Sequence, residues 1–152
     1  MTTSTRVRAT DSAIPAAFSA VINGATAFVG YKGLRSIPLS LDTISSSEPT
    51  VWAQGVSLAF MLACILTCIT AFTFIRAGGT GVKRPSVLAV LGIALRNGLF
   101  LFGTFVMLAV LWQRAIGTVT VTPGTAAVLV GFLAAVVTVL SDLLTKRSLV
   151  LE

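Results

Sequence analysis

Val51 to Ile75 reads VWAQGVSLAFMLACILTCITAFTFI. These 25 residues carry no charge. About 20 apolar residues in a helix cross the hydrocarbon core of a bilayer, so this run predicts a membrane-spanning helix. Trp52 at its start suits the headgroup region, and Arg76 ends it. Cys64 and Cys68 stand near its middle, four residues apart and therefore on one helix face. Two thiols do not complete a tetrahedral metal site, and this spacing is not that of a redox pair, so both are expected to be small packing residues.

The same composition extends along the chain. Of its 152 residues, 55% are hydrophobic and 11% charged, and mean hydropathy is +0.96. A soluble domain carries about a quarter charged residues. The chain therefore reads as an all-α integral membrane protein, a four-transmembrane-helix bundle forming a single membrane domain over 1–152. Helices are expected at about 13–31, 51–75, 97–113 and 124–144. Ser12 is placed to cap the first, and Pro15 falls in its first turn, where a missing N–H costs little. Tyr31 and Lys32 mark its far interface. The 33–50 loop, with Pro38, Asp42, Ser45 to Ser47 and Glu48, interleaves aliphatic and polar residues and is expected to lie on the membrane surface. Thr118 to Thr122 alternates Thr with Val and looks extended, but is too short for an independent sheet.

The stretch from Ser86 to Trp112 admits two readings because Arg96-Asn97 interrupts it. One is a single long helix with a buried arginine. The other is a short interfacial segment at about 86–95, followed by a span at 97–113. A charge deep in the bilayer costs about 2.5 kcal/mol or more. The second reading lets Arg96 reach the headgroups and is the favoured one.

Lys and Arg total 11 and Asp and Glu total 5, for a formal charge of +6 and a pI near 10.4. The basic residues sit between apolar runs, which points to anionic lipid headgroups as partners and not to nucleic acid. Lys83, Arg84, Arg96 and Asn97 are the headgroup or polar candidates. With four spans, Arg6, Arg8, Arg76, Lys83, Arg84, Arg96, Lys146 and Arg147 share one side, against Lys32, Arg35 and Arg114 on the other. The positive-inside rule then makes both termini cytoplasmic, with a bacterial cytoplasmic membrane as the expected location.

Leu and lipid are equally apolar, so helices in a membrane associate through small residues, close packing and polar contacts. The packing candidates are Ala16, Ala20, Asn23 and Gly24 in the first helix and Ala127, Gly131 and Ala135 in the fourth. Asn23, an amide at mid-span, needs a partner.

The sequence contains no His. That excludes His-ligated haem and imidazole acid–base chemistry. No nucleophile–base or metal-ligand constellation is present, so neither an enzyme nor a bound cofactor or metal is expected. The expected role is a non-catalytic accessory or structural subunit, assembled with other integral membrane subunits or with itself. The alternative is a small oligomeric transporter or channel. Small multidrug exporters depend on a membrane-embedded acid, and the first three expected spans hold no Asp or Glu.

Asn23-Gly24 in the first span and the basic stretch from Lys83 to Arg96 before the third resemble features of small uncharacterised bacterial membrane proteins with four hydrophobic segments. The resemblance covers most of the chain at the level of layout. It implies a four-span fold and carries no assigned activity.

Overall fold

The structure is a computed structural model that describes residues 12–41, 49–77 and 85–151. The described chain is an all-α four-helix bundle. Its helices are α1 (Ala13–Gly30), α2 (Val51–Ala77), α3 (Val87–Ile116) and α4 (Pro123–Leu151). All four are long and apolar enough to cross a membrane, so the chain is a multi-pass integral membrane protein.

α3 departs from the expected layout. It runs unbroken for 30 residues, and no separate interfacial helix forms over 86–95. Ser86 starts it from an extended backbone, and its side chain accepts the Ala89 N–H at 3.1 Å. Neither Arg96 nor Asn97 breaks a helix, and a break within the bilayer would strand backbone N–H and C=O groups without water. At 1.5 Å per residue α3 is about 45 Å long, against about 30 Å of hydrocarbon, so its ends have room to reach the headgroups unbroken. It stops at Gly117, whose φ of 82° is readily adopted by glycine and whose N–H bonds back to the Gln113 carbonyl at 3.0 Å. α4 likewise continues past its expected end, through Asp142 and Lys146, whose side chains pair at 2.6 Å one turn apart.

α4 is the hub. It packs along α1 and α2 and more lightly on α3, while α2 also packs along α3. α1 is peripheral, with 11% of its span buried against a third or more for the others. The close approaches occur at glycines. A Cβ on Gly131 would stand 2.7 Å from the Ala20 carbonyl oxygen, and one on Gly24 would stand 3.3 Å from that of Ala127. A Cβ on Gly98 of α3 would meet Cys64 Sγ of α2 at 2.6 Å. These are the small-residue contacts that let helices associate where lipid offers no hydrophobic driving force.

One end of the bundle is closed by chain between the helices. Two-residue strands, β1 (Ile37–Pro38) and β2 (Thr120–Val121), pair antiparallel with Ile37 opposite Val121 and Pro38 opposite Thr120. The Leu39 N–H adds a bond to the Val119 carbonyl at 2.7 Å. Ile37 and Leu39 are buried in one core with Tyr31, Val51, Ala126, Ala127 and Val130. The described part of the 33–50 loop is thus packed onto the bundle end. Trp52 and Trp112 meet there with ring centroids 6.3 Å apart. Residues 42–48 lie outside the described residues.

Candidate functional site

The polar side chains gather at the end of the bundle that holds the start of α1, the end of α2, the start of α3 and the end of α4. Asn97 on α3, Thr67 on α2 and Thr145 on α4 form a buried triad, each 2% exposed or less. Asn97 Nδ2 donates to Thr67 Oγ1 and Thr145 Oγ1, both at 3.3 Å. The two hydroxyl oxygens are 3.2 Å apart, and Thr145 Oγ1 reaches the Ser141 carbonyl at 2.6 Å. Ser141 itself is fully buried, and its hydroxyl has no partner among the described residues. Beside this triad, Cys64 Sγ approaches the Ala94 carbonyl at 3.5 Å.

Asp142 forms a second node. Its Oδ2 accepts from the Ser12 hydroxyl and from Lys146 Nζ, and its Oδ1 accepts from Thr70 Oγ1 at 3.2 Å. One carboxylate therefore ties the start of α1 and the inner end of α2 to α4. Ser12 stands at the N-cap position but makes no side-chain capping bond. Its backbone is already αR there, which is not the extended geometry of a capping residue, and its hydroxyl goes to the carboxylate instead.

Arg96 is exposed on the outer side of α3, and its Nη2 donates to Ser148 Oγ of α4. It makes no ion pair with Asp142, whose cationic partner is Lys146. Asn97, one residue on, is buried inside the bundle and so faces no headgroup. Lys83 and Arg84 lie outside the described residues.

Among the packing candidates, Ala16 and Ala127 are buried, Gly131 is buried, and Ala20, Gly24 and Ala135 are half-buried. Among the described residues Asn23 bonds no other helix. Its Nδ2 donates to the Ser19 carbonyl at 2.8 Å and lies 3.3 Å from Ser19 Oγ, so its own helix supplies partners for the amide nitrogen. Beside the α1–α4 contact runs an open, almost wholly apolar groove of about 650 Å³. Ala20, Gly24, Ala127 and Gly131 floor it, and Phe28 and Phe132 stand at its walls.

At the opposite end, the Tyr31 hydroxyl donates to Gln54 Oε1, and the Leu41 N–H donates to Gln113 Oε1 at 3.3 Å. Burial pushes the Tyr31 phenol up to about 12. Asn23, Gln54 and Arg96 thus occupy separate places and do not converge. Sequence reasoning singled out Asn97 but missed Thr145 and Ser148. Their recurrence with Ser141 at intervals of three and four is a polar stripe along the last turns of α4, and that spacing was the available signal.

No protein family, curated protein or solved structure matches the chain at a significant level.

Proposed function

We propose that this chain is a non-catalytic accessory or structural subunit of a larger membrane assembly, held in a bacterial cytoplasmic membrane with both termini on the cytoplasmic side. The observation that carries the reading is the groove along α1 and α4. α1 is attached along one side, and the groove beside it is floored by Ala and Gly and walled by Phe28 and Phe132. Small residues between bulky ones admit a partner helix at close range, which is how membrane subunits associate. The buried polar groups support the same reading. Asn97, Thr67, Thr145 and Asp142 each hydrogen-bond from one helix to another. The orientation rests on eight Lys and Arg at the end that carries both termini, against three at the other.

Native purification in a mild detergent, with the mass and polypeptide content of the particle measured, tests this. A particle containing other integral membrane polypeptides is the expected result. A homo-oligomer of this chain alone would overturn it in favour of a small oligomeric transporter or channel. Asn23, Gln54 and Arg96 would then be the first residues to change in a liposome flux assay.

A further inference from the structure

Arg96 lies on a surface otherwise built for lipid. Its neighbours one turn on, Leu99 and Phe100, are exposed, as are Leu91 and Leu95. A guanidinium has five N–H donors, and its one hydrogen bond among the described residues goes to the Ser148 hydroxyl, which brings no negative charge. Asp142 is the only carboxylate among the described residues, and both its oxygens are engaged by Ser12, Thr70 and Lys146. Among the described residues this lipid-facing cation is therefore left without a counter-charge, which a ligand can supply.

Three features of this end of the bundle say from where. The Cα–Cβ bond of a helical residue tilts toward the helix N-terminus, so Arg96 leans toward the near membrane surface, about nine residues or 14 Å of helix from Val87. One turn back in that direction stands Gly92, and no heavy atom lies within 4 Å of where its Cβ would be. That leaves a bare notch in the lipid-facing side of the helix, next to the guanidinium. Arg76 and Arg147 lie at the same end of the bundle, and their charge favours an anionic headgroup over a zwitterionic one. We propose that the α3–α4 seam at Gly92, Arg96 and Ser148 binds the phosphate of an anionic phospholipid, with Arg96 as its fork-shaped donor and Gly92 as the opening that admits it.

Native mass spectrometry of the full chain in mild detergent, titrated with phosphatidylglycerol and separately with phosphatidylcholine, tests the site. The expected result is preferential retention of one phosphatidylglycerol per chain. R96Q weakens that retention about tenfold to a hundredfold, the range for a hydrogen bond to a charged group. R96K, which keeps the charge without the planar fork, falls between the two. G92L keeps Arg96 but fills the notch, and also weakens retention. R114Q, at the opposite end, leaves it unchanged. Each variant is checked for wild-type helicity and melting temperature, and the series is repeated with D11N and with E152Q so that neither carboxylate, both outside the described residues, can stand in for the lipid. Retention of phosphatidylglycerol by R96Q at wild-type affinity would overturn the proposal. So would equal retention of phosphatidylcholine, or displacement of the lipid by millimolar inorganic phosphate, which would mark a site for a soluble anion.

Discussion

Asn97 joins α3 to both α2 and α4 through a single amide nitrogen. Interhelical hydrogen bonds in membrane proteins are worth about 0.6–2 kcal/mol, so Asn97→Ala should cost about that much in thermal unfolding in detergent. Ser141 is the control at the same level. Its hydroxyl is buried without a partner among the described residues, so Ser141→Ala should leave the melting temperature unchanged or raise it. Tyr31 gives a test at the other end. It is the chain's single tyrosine, so the ultraviolet ionisation signal near 295 nm belongs to it alone. Its titration midpoint should lie near 12, not near 10. Because the folded phenol is held above its unfolded value, the stability linked to it is fully present below pH 10 and is lost as pH rises through 12. Arg96 and Asn97 look like one polar interruption in the sequence, yet one faces outward and the other is buried. Successive residues on a helix point about 100° apart, and only a fixed helix rotation assigns each its face.

The elements differ in how firmly each is held. α1 depends on its contact with α4, and that contact closes at Gly131. Gly131→Ala would bring a methyl to 2.7 Å from a backbone oxygen that has no freedom to swing aside. The variant should loosen α1, seen as a lowered melting temperature and faster cleavage of the segment before Ser12 by added protease. Gly92→Ala is the matched control, because space there is open and alanine is the better helix former by about 1 kcal/mol. It should be neutral or stabilising. The repeating small residues at 20 and 24 and at 127 and 131 are visible in the sequence, because helical periodicity is a local property. The unbroken course of α3 through Arg96 was not legible. The cost of a charge in hydrocarbon argues for a break there only if the guanidinium stays in the bilayer core, and Arg96 stands near one end of a helix longer than that core, from which it can reach the headgroups.

For the whole molecule, the start of α1 and the last turns of α4 lie at one end of the bundle, where Ser12 bonds to Asp142. Single cysteines introduced at Thr3 and Leu149, in a chain with Cys64 and Cys68 replaced by Ala, should therefore be labelled from one face of intact vesicles. A cysteine at Lys32 should be labelled from the other face. If the positive-inside count sets the orientation, the first two are reached only after the vesicles are opened to expose the cytoplasmic side.

Length and apolarity of four runs were enough for the sequence by itself to determine an all-α membrane-spanning chain, because the bilayer allows a spanning segment little besides a helix. The order of packing was decided only in three dimensions. α4 is the hub and α1 the edge, because close approach depends on where Gly24, Gly98 and Gly131 meet a partner of matching shape. The same is true of the polar nodes. Thr67 and Asn97 are 30 residues apart and Thr145 a further 48, and nothing local in the chain links them. They meet because an amide and two hydroxyls, withdrawn from water, are most stable when they satisfy one another.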